Sequence, residues 1–107
     1  MLQVYNVILS HEAKNDLFEI KKYIEDELQN PTAAIDTVRK ITNRIRMLEE
    51  HAYAGAMLAA VADIRTDYRF LVCGNYICFY RVVANDVYID RVLNSRQNYM
   101  RIIFGEG

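Results

Sequence analysis

Apolar residues recur along the first part of the chain with two different periods. Residues 2–9 are rich in Val, Ile, Leu and Tyr, which favours a β-strand. Ser10 suits the cap of a helix, and the apolar positions after it are spaced by three or four residues, as on one face of an α-helix. These positions are Ala13, Leu17, Ile20, Ile24 and Leu28.

A second amphipathic helix follows after a very short joint. Asn30 can cap it, and Pro31 suits a first helical position because the N–H that proline lacks is not needed there. The same spacing returns at Ala34, Val38, Ile41, Ile45 and Leu48. Two such helices predict an antiparallel helical hairpin, and their apolar faces need a sheet to cover them.

The period changes in the second half of the chain. We interpret residues 51–63, which are small and weakly patterned, as a connection, and residues 68–73, 76–83 and 87–93 as strands. Gly74 and Asn75 suit the turn between the first two of these strands. Asn85 and Asp86 suit the next turn. The pattern of residues 95–104 does not decide between a short helix and an extended tail.

Alternation along the strands divides their side chains between two faces. One face carries Phe70, Val72, Ile77 and Phe79, and the other carries Leu71, Cys73, Tyr76, Cys78 and Tyr80. We expect the first face to form the core together with the helical residues Leu17, Ile20, Ile24, Val38, Ile41 and Ile45. Arg81 and Asp90 should form a cross-strand ion pair if the last hairpin has a two-residue loop.

The predicted order of elements is β-α-α-β-β-β. Because strands do not alternate with helices, a doubly wound parallel sheet is not expected. We predict an α+β fold of two layers, with the helical hairpin packed on a mainly antiparallel, four-stranded sheet and a short C-terminal tail or helix. A length of 107 residues suits one domain, spanning residues 1–107.

The charged residues are unevenly distributed although the net charge is only −1. Residues 1–63 hold seven basic and ten acidic side chains, whereas residues 64–107 hold six basic and four acidic ones. All six basic residues of the second part are arginines, whose forked guanidinium binds phosphate or carboxylate well. An anionic partner is one interpretation, and ordinary solvated arginines at strand and helix ends are the other.

The cysteine content and the hydropathy of the chain argue against a disulfide-bonded, zinc-binding, membrane-spanning or secreted protein. Cys73 and Cys78 should lie diagonally on one sheet face, roughly 7 Å apart, which is far for a disulfide, so we expect two buried thiols. Two cysteines are also too few for a zinc site, and no metal or cofactor is predicted. The chain has no apolar run of membrane-spanning length and no signal-peptide pattern, so we expect a cytoplasmic protein.

Several local strings, in this order and at this spacing, resemble the RelE/ParE family of toxins from type II toxin–antitoxin systems. They are residues 10–17, at the opening of the first helix, 30–34, at the helix joint, 67–72 and 76–82, in the central hairpin, and 87–93 with Ser95 and Arg96, at the last strand. The resemblance implies the family's fold, a cognate antitoxin as partner, and growth inhibition and plasmid stabilisation as consequences. RelE-like members cut messenger RNA on the ribosome, whereas ParE-like members inhibit DNA gyrase and are not nucleases.

The resemblance to RelE-like enzymes implies a set of candidate catalytic residues. Arg65 matches an arginine that enters the central hairpin, Arg96 one after the last strand, and Tyr99 a nearby tyrosine. His51 or Glu50 is a possible base, in a loose match. The sequence departs from that pattern between residues 53 and 64, which include no Lys, Arg or His.

That departure and the slightly acidic charge favour a ParE-like mode without catalysis. A protein that acts on the ribosome meets a dense phosphate surface and usually carries a strongly basic face. The predicted target-binding residues are then Arg91, Arg96, Tyr99 and Arg101. A RelE-like endoribonuclease is the alternative, and an inactive binding module of the same fold is a second one.

Overall fold

The structure is a computed structural model that describes residues 4–62 and 64–105. Its elements are β1 (Asn6–Leu9), α1 (His11–Asp26), α2 (Pro31–Met47), β2 (Ala56–Met57), α3 (Leu58–Ala62), β3 (Arg69–Cys73), β4 (Tyr76–Val83), β5 (Asp86–Asn94) and α4 (Tyr99–Phe104). The strands form one sheet in the order β1-β5-β4-β3-β2. Only β1 and β5 run parallel, and the other neighbours are antiparallel. The predicted α+β class is confirmed.

The helices begin where the capping residues predict. The Ser10 hydroxyl accepts a hydrogen bond from the Ala13 amide at 2.9 Å, and the Asn30 side chain accepts one from Ala33 at 3.1 Å. The Ser10 hydroxyl also donates to the Asp90 carbonyl at 2.8 Å. One cap therefore satisfies an N–H that the helix itself cannot pair, and it also ties α1 to β5.

The helical hairpin covers the sheet face opposite to the predicted one. Its buried residues, among them Ile24, Ile41 and Ile45, share a core with Leu71, Cys78 and Tyr80. Ile77 and Phe79 are buried on the other face with Leu58 and Leu93, next to partly buried residues of α3 and α4. The predicted division into two faces is right, but the assignment of the hairpin to one of them is wrong. Both faces are apolar, so alternation alone does not distinguish them.

Val72 is the predicted core residue that departs most from expectation. It alternates correctly with its neighbours in β3, yet its side chain is 50% exposed near the end of the strand. Leu17, Val38 and Phe70 are partly buried, and the other predicted core residues are buried.

Residues 51–63, predicted as a connection, contain regular structure within the described part of the chain. Ala56 and Met57 form β2, which pairs with Phe70 and Arg69 of β3, and α3 follows at once. Among the described residues, the sheet therefore has five strands rather than four. Elements of two and five residues are too short for an apolar spacing to recur several times, so the pattern could not reveal them. At the other end of the sheet, β1 begins at Asn6, and the predicted strand residues 2 and 3 lie outside the described residues.

The hairpin between β4 and β5 turns one residue earlier than predicted. Val83 pairs with Asp86, so the loop is Ala84 and Asn85, and Ala84 adopts a positive φ of 53°. Because the turn comes one residue earlier, Arg81 stands opposite Tyr88 instead of Asp90, and an irregularity between Phe79 and Tyr80 shifts the register only beyond that point. The predicted ion pair nevertheless forms diagonally, with 2.9 Å between Arg81 Nε and Asp90 Oδ2.

The two cysteines are free and buried, as predicted. Leu71 pairs with Cys78 and Cys73 with Tyr76, which places the two thiols diagonally across the β3–β4 hairpin. Burial raises the pKa of both thiols. Within residues 4–62 and 64–105, no helix has the length and hydropathy to cross a bilayer.

Candidate functional site

The turn that follows β5 is held by its own polar side chains. The Asn94 amide donates to Gln97 Oε1 and the Arg96 amide donates to Asn94 Oδ1, both at 2.9 Å. The Ser95 amide donates to the Asn75 carbonyl at 2.8 Å, which joins this turn to the β3–β4 turn. Arg96 is therefore presented on an exposed turn whose backbone is fixed.

Helix α4 lies on the second face of the sheet through aromatic contacts. The ring of Tyr99 lies 5.3 Å from that of Phe79, at an interplanar angle of 35°. The ring of Phe104 meets Tyr68 edge-on, with centroids 5.7 Å apart. Tyr99, which the sequence predicts as a target-binding or catalytic residue, is thus partly buried and packs on the core.

Two of the predicted arginines line the same groove beside α4. Arg65 and Arg101 line a groove of about 360 Å³ together with Ile64, Met100 and Phe104. Both guanidinium groups belong to exposed residues, and the walls between them are apolar. Such a groove suits a carboxylate or phosphate flanked by an apolar group.

Arg91 has a different environment from the other predicted arginines. Its Nε and Nη2 donate to Asp16 Oδ2 and Oδ1, each at 2.8 Å, and the Val92 amide donates to the same carboxylate at 2.9 Å. These hydrogen bonds raise the pKa of Arg91. The guanidinium of Arg91 therefore joins β5 to α1 in a forked ion pair.

The candidate bases lie on another surface. His51 and Glu50 line a groove of about 430 Å³ with Tyr5, Met47 and residues 52–54, after the end of α2. None of the residues that line this groove also lines the groove that holds Arg65 and Arg101.

The loop after His51 is fixed by a buried tyrosine. The Tyr80 hydroxyl donates to the Ala52 carbonyl and accepts from the Gly55 amide, both at 2.9 Å. Arg69 Nη1 donates to the Gly55 carbonyl at 2.9 Å, and its guanidinium carbon lies 4.8 Å from the centre of the Tyr53 ring. The surface that carries His51 is therefore held to the sheet by at least three polar contacts.

The sequence did not reveal the part that Tyr68 plays. Its hydroxyl donates to Asp90 Oδ2 at 2.8 Å, the same oxygen that Arg81 binds. Burial, and then the hydrogen bond to Asp90, raise the pKa of Tyr68 to about 12. The hydrogen bond to Asp90 also raises the pKa of Arg81. The strand pattern predicted that Arg81 pairs with Asp90. Tyr68 precedes β3, and no sequence signal placed its hydroxyl beside Asp90.

Arginine and aromatic side chains lie around α4, and such groups can recognise anionic and apolar partners. Across the described ranges, no three His, Cys, Asp or Glu side chains are placed to hold a metal ion together. Arg65 and Arg101 line one groove, and His51 and Glu50 line a different one. The helical hairpin lies on one sheet face, and the short C-terminal helix, with Arg65 and Arg101 beside it, lies on the other.

Comparison with known proteins identifies the family of this chain. Residues 7–99 match the family described as the ParE toxin of the type II toxin–antitoxin system parDE. The chain therefore belongs to the ParE toxin family.

Solved structures add a match of fold. A chain of the chromosomal ParDE TA system from P. aeruginosa superposes with a TM-score of 0.72 at 20% sequence identity, covering 86% of this chain and 97% of that one. YafQ from E. coli strain BL21(DE3) gives a TM-score of 0.48 at 13% identity, with 84% and 92% covered. A search among curated proteins finds no significant match.

Proposed function

We propose that this toxin inhibits DNA gyrase by binding to it, without cutting RNA, and that a cognate antitoxin neutralises it by covering its surface. The observation that carries the proposal is the separation of the candidate catalytic groups. Arg65 lines the groove beside α4, whereas His51 and Glu50 line a groove beyond the end of α2. A general base must come within hydrogen-bond reach of the proton that it removes, in the same site that holds the phosphate.

The environment of Tyr99 supports the same proposal. Its ring packs on Phe79 and contributes to the core of the second sheet face. Packing on the core is enough to explain why an aromatic residue stands at this position, and no catalytic role is needed. Membership of the ParE family agrees with a mode of action by binding.

The binding surface we propose consists of the turn after β5, α4 and the groove beside it. Arg96 is exposed on the turn, and Arg65 and Arg101 line the groove with apolar neighbours. Arginine with adjacent aromatic or apolar side chains is the composition typical of energetically important interface residues. We assign Arg91 an indirect part in this surface, because Asp16 engages its guanidinium.

RNA cleavage remains the second candidate, on one specific observation. Arg65 and Arg101 approach the same groove from different segments, as a site that clamps a phosphate would require. In that case the acid and the base would be recruited from elsewhere on the protein or from the ribosome.

Two assays run in parallel separate these functions. The first follows supercoiling of plasmid DNA by purified gyrase, and the second follows a labelled message in a translation reaction with purified ribosomes. We expect the wild-type chain to inhibit gyrase and leave the message intact. Arg65→Ala and Arg101→Ala should each weaken gyrase inhibition.

Arg39→Ala is the matched control because Arg39 is an exposed arginine on α2, paired with Asp36 and remote in sequence from α4. Its inhibition should equal that of the wild type. Message cleavage that disappears in Arg65→Ala, with no effect on gyrase, would overturn the proposal and make this protein an endoribonuclease.

A further inference from the structure

The groove beside α4 has two walls that come from distant parts of the chain. Arg65 belongs to one wall, and Arg101 and Phe104 of α4 belong to the other. Its shape therefore depends on what holds α4 against the segment that precedes β3. Tyr68 lies in that segment, three residues after Arg65, and is not among the described residues that line the groove.

Helix α4 needs such support because it is short. It has six residues, whereas an isolated helix of fewer than roughly 12 residues is barely stable in water. Its position must therefore come from contacts with the rest of the fold. Near its start, the ring of Tyr99 packs on Phe79. At its end, the ring of Phe104 meets Tyr68 edge-on.

Tyr68 is held at its hydroxyl, its ring and its backbone. Its hydroxyl donates to Asp90 Oδ2 at 2.8 Å, and Arg81 Nε donates to the same oxygen at 2.9 Å. The guanidinium carbon of Arg81 lies 5.6 Å from the centre of the Tyr68 ring. The Tyr68 amide donates to the Thr66 hydroxyl at 3.1 Å, and the Leu58 amide donates to the Tyr68 carbonyl at 3.0 Å. The sheet therefore orients the side chain, and the start of α3 fixes the backbone.

These contacts connect Tyr68 with both walls of the groove. Its backbone hydrogen bonds fix the segment that carries Arg65. Its ring supports Phe104 at a centroid distance of 5.7 Å and an interplanar angle of 84°. An edge-on pair of rings depends on their mutual orientation. A Tyr68 ring without its hydrogen bond to Asp90 turns more freely and supports Phe104 less well.

We propose that Tyr68 is a positioning residue of the target-binding surface. Its hydroxyl, bound to Asp90, fixes α4 against the segment before β3 and thereby sets the spacing of Arg65 and Arg101. The effect on the target rests on the proposed function, whereas the effect on α4 does not. Tyr68 acts through Phe104 and through the backbone before β3, and not by contact with the target.

Tyr68→Phe keeps the ring and removes the hydroxyl, and two measurements on the full chain follow its effect. In hydrogen exchange followed by NMR, the amides of α4 should exchange about five-fold faster or more, because the loss of a hydrogen bond to a carboxylate favours local opening of this helix. In the supercoiling assay, the toxin concentration that half-inhibits gyrase should rise by about three-fold or more.

Tyr88→Phe is the matched control, because the Tyr88 hydroxyl also donates to a carboxylate of β5, at 3.3 Å from Asp86 Oδ2. In the part of the chain that the structure describes, Phe79 and Tyr68 make the aromatic contacts of α4, and Tyr88 makes none of them. Both measurements should therefore stay within about two-fold of the wild type. A Tyr88→Phe variant with the same effects as Tyr68→Phe would overturn the proposal.

Asp90→Ala tests whether the hydroxyl of Tyr68 acts through the carboxylate. In that case Tyr68→Phe combined with Asp90→Ala should accelerate exchange in α4 no more than Asp90→Ala alone. Fully additive effects would overturn the proposal, and so would unchanged exchange in Tyr68→Phe or an acceleration of equal size in every helix and strand. A looser α4 with unchanged inhibition of gyrase would overturn the part that concerns the target. If the wild type does not inhibit gyrase, the proposed function fails, while exchange in α4 still tests the positioning by Tyr68.

Discussion

The carboxylate of Asp16 accepts both arms of the Arg91 guanidinium, at 2.8 Å each, and thereby joins the first helix to the last strand across 75 positions of sequence. The Val92 amide uses the same carboxylate. The Asp16 side chain is only 11% exposed and that of Arg91 28%. A forked, partly buried pair with a third hydrogen bond is of the kind that contributes to stability, unlike most surface pairs.

We therefore expect Asp16→Ala to lower the free energy of unfolding by about 2 kcal/mol, through the loss of hydrogen bonds to a charged group. Urea denaturation measures it. Asp36→Ala removes the exposed partner of Arg39 and should cost less than about 0.5 kcal/mol. Equal, small effects in both variants would contradict this account of the Asp16–Arg91 pair.

The same pair provides a test of the predicted target-binding role of Arg91. If Arg91 acts by holding β5 to α1, Arg91→Ala and Asp16→Ala should reduce toxicity to the same extent. The reduction should follow the loss of unfolding free energy in the two variants. A growth assay at matched expression compares them. Toxicity lost in Arg91→Ala and kept in an equally destabilised Asp16→Ala would instead make Arg91 a direct contact with the target.

Sequence patterns could predict the helical hairpin and the central strands because their apolar spacing extends over several turns or pleats.

The position of Asp16 in the helical pattern also indicates a buried ion pair. It lies three residues after Ala13 and four before Ile20, on the buried face of α1, where a carboxylate needs a partner. Which sheet face the hairpin covers depends on packing between two apolar faces, and no local spacing encodes that choice.

The candidate site was predictable only in part. Arg96, Tyr99 and Arg101 are close because they are close in sequence. The approach of Arg65 to Arg101 depends on how the segment before β3 passes beside α4, and alternation does not encode this. Their roles as catalytic or target-binding residues stay predictions until the two activity assays are run.

Gly55 is a position where the fold leaves no room for a side chain. A Cβ there would lie 2.6 Å from the Phe70 carbonyl oxygen and 2.6 Å from the Tyr80 hydroxyl. We expect Gly55→Ala to cost about 2–3 kcal/mol in unfolding free energy, because a backbone carbonyl cannot move aside. Gly74→Asn, at a turn with open space and a φ that Asn tolerates, is the control and should change the thermal midpoint little.

Phe79 and Val72 lie on the same sheet face, but they should respond differently to truncation because only Phe79 is buried. Phe79 is 1% exposed and lies under Tyr99, so Phe79→Ala should cost about 3–5 kcal/mol. Val72→Ala removes a half-exposed side chain and should cost less than about 1 kcal/mol. Chemical denaturation of both variants tests this difference in burial, which a costly Val72→Ala would contradict.

The burial of Tyr68 and its hydrogen bond to Asp90 predict a loss of stability at alkaline pH. In the folded chain the pKa of Tyr68 is raised from 10.0 to about 12. The unfolded chain therefore loses this proton first, so the stabilisation is complete below pH 10 and disappears as the pH rises through 12. The stability difference between wild type and Tyr68→Phe should shrink across that window, measured by denaturation at each pH. A difference that stays constant would contradict the raised pKa.

The ring and the hydroxyl of Tyr99 can be tested separately, and the comparison decides between the two candidate functions. Tyr99→Phe keeps the ring on Phe79 and removes only the hydroxyl, whereas Tyr99→Ala removes the aromatic contact that holds α4. If the toxin acts by binding, Tyr99→Phe should inhibit gyrase and growth as the wild type does, and Tyr99→Ala should be weaker. Phe104→Ala, which removes another aromatic contact of α4, should resemble Tyr99→Ala.

If Tyr99 instead supplies a proton during RNA cleavage, removal of its hydroxyl in Tyr99→Phe should be enough to slow cleavage by roughly 10²-fold or more. The packing of α4 on the sheet should be unchanged in that variant, because the ring stays in contact with Phe79. That result, in single-turnover cleavage on ribosomes, would replace gyrase inhibition with catalysis as the function of this chain.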